Sequence, residues 1–227
     1  PYGAGELESM DEAAAMKVPG VLEVTITAQD KIGKYHGHNI GYLVADSMSG
    51  MRRGLHALNP KWKRQPVKTR ITDAMQKPAD APKEIADLLA GAELVHEATY
   101  TAEVQIHASL ETHGVSIDHR GDAATVYAST QGTSAARDGL EESIGLPRAQ
   151  FEVVCEYVGG GFGSKLNGAG KEGTTAATVA AKYKRPAYCF CTREEDQLDT
   201  GNRPSARAEV KVAFKADGTI LGALFNT

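Results

Sequence analysis

The spacing of apolar positions changes several times along the chain, and each change predicts an element. Val21 to Thr27 alternates apolar and polar residues around Val24 and Ile26, the period-two pattern of a strand. Ile40 to Ala45 predicts a second, more buried strand. Between Ser47 and Leu58 the period lengthens to that of a helix, placing Met48, Met51, Leu55 and Leu58 on one face, expected to be core. Asp11 to Met16 predicts a short helix, with Ser9 as N-cap and Glu12 as its capping-box partner. From Asn59 to about Pro82 the pattern dissolves. Pro60, Pro66, Pro78 and Pro82 punctuate it, and Lys61, Lys63, Arg64, Lys68 and Arg70 make it basic. This reads as a surface linker, followed by a short helix from Lys83 to Leu89.

A second region begins at Leu94. Val95, Tyr100, Val104 and Ile106 mark one long strand or a pair of them. Val115 to Ile117 and Ala123 to Ala128 predict strands joined by the turn at His119 to Asp122. Gln131 to Ile144 predicts a helix with Ala136, Leu140 and Ile144 on one face, closed by Gly145 and Pro147. Phe151 to Tyr157 predicts a strand, Gly173 to Tyr183 an alanine-rich helix, and Pro186 to Cys191 another strand. Arg207 to Phe214 and Ile220 to Phe225 predict a hairpin across Ala216-Asp217-Gly218. No internal repeat is evident.

Composition narrows the function classes. With 227 residues and 41% hydrophobic content, the chain is large enough for one large domain or two small ones. The net charge of −4 is spread over interspersed acids and bases, so the basic footprint of a nucleic-acid binder is missing. No apolar run approaches the roughly 20 residues of a membrane span. The chain opens mid-pattern at Pro1-Tyr2-Gly3, which leaves a preceding segment open. Cys155, Cys189 and Cys191 are too few and too unevenly spaced for a disulfide framework or four-cysteine iron–sulfur ligation. Cys189 and Cys191 share one strand face and are expected to be buried structural thiols. His36-Gly37-His38 offers two ligands on a loop, too few for a metal site.

Chemistry concentrates in Tyr157-Val158-Gly159-Gly160-Gly161-Phe162-Gly163-Ser164-Lys165. Glycines after a strand leave bare backbone N–H groups that an anionic or strongly polarised oxygen can approach. A Walker-type loop requires Ser or Thr after its lysine, whereas Leu166 follows Lys165, and the spacing of a dinucleotide fingerprint is absent. A ligand-free turn remains the bland alternative.

The wider context points elsewhere. Upstream stand Met16-Lys17-Val18-Pro19-Gly20-Val21, His107-Ala108-Ser109-Leu110-Glu111-Thr112-His113-Gly114 and Tyr127-Ala128-Ser129-Thr130-Gln131. Downstream stand Thr192-Arg193-Glu194-Glu195-Asp196, Gly201-Asn202-Arg203-Pro204 and Lys215 to Ile220. In this order and at these spacings, from about Ala13 to the end, the chain resembles the large molybdenum-cofactor subunit of the xanthine dehydrogenase / aldehyde oxidase family. The resemblance implies an α+β, mixed α/β fold: a small hammerhead domain over residues 1–65, a linker with a short helix over 66–93, and a first molybdopterin-binding domain with mixed sheets and packed helices over 94–227. It also implies that family members continue into a second cofactor-binding domain carrying a catalytic glutamate. The chain is then a fragment, or one polypeptide of a divided subunit, and the base lies outside it.

What the family does is likewise implied. Its members hydroxylate carbon centres with water as the oxygen source, on molybdenum held through a pterin, with or without a nucleotide extension. Electrons leave through 2Fe–2S clusters and FAD on partner domains or chains, so an iron–sulfur subunit, an FAD subunit and the rest of the molybdenum subunit are the expected partners. Gln131 matches the glutamine whose amide approaches an oxygen of the metal centre. Gly160, Gly161, Phe162 and Gly163 match the loop at the dithiolene end of the pterin, with no residue ligating the metal directly. Phe162 also matches a wall of the substrate pocket; a core anchor that fixes the glycine loop is the other reading, and the two are compatible. Purine-oxidising members carry a glutamate where this chain has Leu166, which implies a less polar pocket suited to aldehydes or hydrophobic N-heteroaromatics. The Arg193 to Asp196 run is expected to be a surface ion-pair network, and His107 and His113 to be hydrogen-bonded structural residues. A catalytically inactive scaffold of the same fold is the competing expectation.

Overall fold

The computed structural model describes residues 2–67 and 80–227, so Lys68, Arg70 and Pro78 of the expected linker lie outside the described residues. In chain order the strands are β1 Gly5–Ser9, β2 Val21–Ile26, β3 Ile32–Gly33, β4 Gly41–Ala45, β5 Lys61–Arg64, β6 Leu94–Ala102, β7 Gly114–His119, β8 Ala124–Ala128, β9 Phe151–Val154, β10 Ala187–Phe190, β11 Ala206–Phe214 and β12 Ile220–Asn226. The helices are α1 Glu12–Met16, α2 Met48–Ala57, α3 Lys83–Gly91, α4 Thr133–Ile144, α5 Gly170–Tyr183 and α6 Arg193–Asp199. This is the mixed α/β class that the periodicity and the resemblance imply. The elements gather into two compact units, one from the chain up to Val67 together with His107–Gly201, the other from residues 80–106 together with Asn202–Thr227.

The first unit is centred on a four-stranded sheet in the order β10-β7-β8-β9. Only β8 and β9 are parallel, and α4 makes the crossover that a parallel pair requires. Strict alternation sends Val115 and Ile117 of β7 and Val126 of β8 inward, onto Leu140 and Ile144 of α4 and Ala176, Ala177 and Ala180 of α5. Each fully buried Val, Leu or Ile contributes about 1.5–3 kcal/mol. The alanine face of α5 lets that helix lie close to the sheet. Gly145 ends α4 in the left-handed region, φ 66°, as a C-terminal glycine should.

The N-terminal part departs from expectation in three places. Asp11, not Ser9, caps α1: its carboxylate accepts from Ala14 N at 2.8 Å, while Ser9 ends β1. In α2 the buried positions are Gly50 and Gly54, and Met48 and Leu55 are exposed. A Cβ on Gly54 would sit 2.7 Å from Val21 Cγ2 and 2.8 Å from Leu43 Cδ1, so the helix meets the β2–β4 pair through its glycine side. Glycine carries no weight in an apolar periodicity, which is why the methionine stripe misleads. Finally, Lys61 to Arg64 is not linker but β5, antiparallel to β1 with Trp62 opposite Leu7.

An ion pair joins β2 to α5. Lys182 Nζ donates to Glu23 Oε2 at 2.6 Å and Tyr183 Oη at 3.0 Å. The Lys182 bond, with one from Thr25, outweighs burial and holds the Glu23 carboxyl below its ordinary value of 4.5. A depressed folded-state value means stability present above about pH 4.5 and lost as the pH falls through the lower one. Glu23→Gln is therefore expected to lower stability by about 0.2–1 kcal/mol at pH 7. In a pH series of thermal melts the gap from wild type should close below about pH 4.5; a gap that stays constant down to acid pH would refute the assignment.

The second unit is the antiparallel sheet β12-β11-β6 with α3 against β12 and β11. The hairpin turns at Asp217-Gly218 as predicted, closed by Lys215 N donating to Thr219 O at 2.9 Å. Among the described residues no helix is long and apolar enough to cross a membrane.

Candidate functional site

Strand β9 stops at Val154, and the chain then enters the glycine loop. Gln131 sits at the joint between β8 and α4, one residue before the Gly132 that opens the helix. The two meet. Gln131 N donates to Lys165 O at 2.9 Å, and Gln131 Oε1 accepts from Gly163 N at 2.9 Å and Lys165 N at 3.3 Å. A backbone N–H can only donate, so the carboxamide oxygen is the atom committed to the loop and the NH2 group is left to donate elsewhere. Gly161 lies beneath this side chain: a Cβ there would be 2.3 Å from Gln131 Oε1, 2.5 Å from Cδ and 2.7 Å from Cγ.

Among the described residues, the amides of Gly160, Gly161 and Phe162 have no protein acceptor. The backbone alternates around them, with positive φ at Gly160 (93°), not at Gly161, and again at Phe162 (52°) and Gly163 (99°). Successive N–H groups on such a backbone form an anion-binding concavity. The left-handed conformation of Phe162 stores about 1–3 kcal/mol of strain, as residues at ligand sites often do. The residue is 73% exposed, so among the described residues it is not packed into a core. Leu166, 54% exposed, follows the loop.

The loop is held from below by a pair that the sequence reading passed over. Glu111 Oε2 accepts from Gly159 N at 2.7 Å and Ser129 Oγ at 2.8 Å, and Glu111 N returns a bond to Gly159 O at 3.1 Å. Lys165 is 1% exposed; its Nζ donates to Glu111 O at 2.9 Å and lies 3.4 Å from Oε2. Burial raises the Glu111 pKa, but the Gly159, Ser129 and Lys165 contacts outweigh it and hold the carboxyl below its ordinary value. Thr130 Oγ1 adds bonds to Gly168 O at 2.9 Å and Lys165 O at 3.2 Å. The one signal in the sequence was a lysine after a glycine run that fits no phosphate motif.

Behind Glu111 stands α6. Thr192 and Glu195 form a reciprocal capping box at its start. Arg193, Glu194 and Glu195 are exposed, whereas Asp196 is 4% exposed and so departs from the surface ion-pair network expected for this charged run. Its Oδ1 accepts from His113 N at 3.0 Å and faces His113 Nδ1 at 2.7 Å, and its Oδ2 accepts from Arg193 Nη1 at 2.9 Å. Arg193 Nη2 in turn donates to Leu110 O at 2.7 Å. The segment carrying Glu111 is thus gripped on both sides. His113 is hydrogen-bonded as expected; His107 Nδ1, in contrast, is buried without a partner, as are Ser109 Oγ and His113 Nε2. His36 is exposed and His38 half-buried, and among the described residues no cluster of three or more potential metal ligands occurs.

Cys189 and Cys191 line a cavity of about 650 Å³ that the glycine loop does not reach. Burial and then the nearby Glu172 push the Cys189 thiol up to about 12 and raise the Cys191 thiol strongly as well. The thiolate is the reactive form. Neither cysteine should therefore be alkylated by iodoacetamide at pH 8 in the folded protein, and both should react in denaturant; mass-mapped labelling of either in the native state would contradict this.

The sequence model of the molybdopterin cofactor-binding domain matches residues 67–227. Xanthine dehydrogenase/oxidase from Mus musculus is 29% identical over 95% of this chain and 18% of its own length. Indole-3-acetaldehyde oxidase from Zea mays is 28% identical over 84% of this chain and 15% of its own. This chain therefore spans less than a fifth of those relatives. Among solved structures, quinoline 2-oxidoreductase from Pseudomonas putida 86 superposes with a TM-score of 0.85 at 20% identity, over 99% of this chain and 34% of that one.

Proposed function

From the premise that this chain belongs to the molybdopterin cofactor-binding domain family, we propose that it is a component of a molybdenum hydroxylase that oxidises an aldehyde or N-heteroaromatic compound with water as the oxygen source. One observation carries the reading: three successive amides without acceptors, Gly160 to Phe162, lie beside a glutamine whose oxygen is tied down and whose NH2 is not.

The residues fit such a group. Gly161 is bare where any side chain would displace Gln131, and the buried Ser109 hydroxyl has no partner and sits with its Cβ 3.5 Å from where a Gly160 side chain would begin. When bound, the molybdenum cofactor supplies the two-electron oxidation and the transfer of oxygen derived from water. The chain's residues orient it. The Gly160, Gly161 and Phe162 amides donate to its polar atoms, and Gln131 donates through Nε2 without adding charge, which tunes the centre from outside its coordination sphere. Gly163 contributes differently from its neighbours, by fixing Gln131 through its amide. The exposed Phe162 ring offers a face for a planar substrate. Leu166 has no acceptor for a ring N–H, which disfavours purines.

The remaining parts of the proposal concern the whole assembly. The general base lies outside these residues, 2Fe–2S clusters and FAD reside on partner domains or subunits, and a further part of the molybdenum subunit completes the site. The partition into residues 1–65, 66–93 and 94–227 describes chain order, whereas the compact units describe how the folded chain is gathered. The test is metal and pterin analysis of the purified complex, then turnover of aldehydes, quinoline-like heteroaromatics and xanthine with an artificial electron acceptor. Stoichiometric molybdenum and pterin with slow xanthine turnover is expected. A complex devoid of both would sink the reading.

A further inference from the structure

Lys165 is the largest fully buried side chain among the described residues, yet it sits beside a loop read as an anion cradle without offering that loop its charge. A buried ammonium is tolerated only with a partner and satisfied hydrogen bonds. Its partner is Glu111, whose carboxylate also takes Gly159 N. Gly159, immediately before the Gly160–Phe162 amides, and Lys165, three residues after them, thus converge on one glutamate. Through its backbone, Lys165 meanwhile grips Gln131 twice, accepting from Gln131 N and donating to Oε1.

We propose that Glu111 and Lys165 are positioning residues, a clamp of a buried ammonium on a part-exposed carboxylate that fixes both ends of the loop and so sets the geometry in which the Gly160–Phe162 amides and Gln131 receive the cofactor. The ligand's identity rests on the reading above; the clamp does not. The charges have a reason. A lone carboxylate beneath the cradle would repel an anionic ligand, and a lone ammonium could not stay buried. Paired, they cancel.

The test compares Glu111→Gln, Lys165→Met and the double variant Glu111→Leu/Lys165→Met in the purified complex. Three quantities are read: hydrogen–deuterium exchange at Gly163, molybdenum and pterin retained after dialysis, and thermal stability. The amide of Gly163 is bonded to Gln131 and touches neither mutated side chain, so it reports transmitted geometry. Each single variant should speed Gly163 exchange and weaken cofactor retention, the latter on the order of tenfold. The double variant should recover part of the thermal stability lost in Glu111→Gln, because no ammonium is then left buried without its partner, while exchange stays fast and retention low. Recovery of retention together with stability would reduce the pair to a purely structural role and overturn the proposal, as would unchanged Gly163 exchange in the single variants. A wild-type complex lacking molybdenum and pterin, with Gly163 still responding to the variants, would remove the cofactor reading and leave the clamp supported.

Discussion

Gly161→Ala is expected to leave the fold standing and to weaken cofactor retention by roughly 10- to 100-fold, the range seen when groups that orient a metal centre are removed. The new methyl would occupy the space of three Gln131 side-chain atoms, all within 2.7 Å of its ideal position. Gln131 is an exposed side chain at a helix entrance, so it can swing away at modest expense. What is lost are its bonds from Gly163 N and Lys165 N, about 0.5–1.5 kcal/mol each. Stability should therefore fall by only about 1–3 kcal/mol, while the loop amides and the carboxamide lose their registration. Gln131→Ala should give nearly the same loss. The double variant should be no worse than either single one, because both substitutions remove the same interaction. Pterin and molybdenum content of the three complexes, measured beside their thermal melts, decides the matter. Additive losses would mean that a methyl at position 161 disturbs the cradle directly and not through Gln131.

Legibility from the sequence followed the range of the forces involved. Strands β7 and β8 and helix α4 announce themselves because one buried face imposes a period on their own residues, and Val115, Ile117, Leu140 and Ile144 lie where the pattern placed them. Strand β5 was hidden because its determinants are remote: Lys61 to Arg64 is a strand through pairing with β1, more than fifty positions earlier. The face of α2 was misassigned because close helix–sheet approach selects glycine, which a hydrophobicity count ignores. The site divides in the same way. Gln131 and the glycine loop came from a family pattern that carries long-range information, and the structure brings them within hydrogen-bond distance. Glu111 and Lys165, 54 residues apart, form no local pattern, and charged residues read singly are assigned to solvent. Asp196 was missed for that reason too.

Asp196→Ala is expected to be strongly destabilising. Removing one partner of a buried charged network typically costs about 3–5 kcal/mol, because the groups left behind stay buried without their acceptor. Here the buried groups are His113 N–H and the His113 ring, while the Arg193 guanidinium, more exposed, loses its ion pair. For a chain of this size that loss corresponds to about 6–20 °C in melting temperature. Asp196→Asn should fall between, since a carboxamide keeps an acceptor for His113 N but offers no charge to Arg193. The consequence should reach the site. Arg193 and His113 hold the two ends of the Leu110–His113 segment, and Glu111 within it carries Gly159. Exchange at the Gly159 amide should therefore quicken in Asp196→Asn even at temperatures where the protein remains folded. Normal protection of Gly159 in a destabilised Asp196→Asn would separate α6 from the loop and leave this helix as a stability element alone.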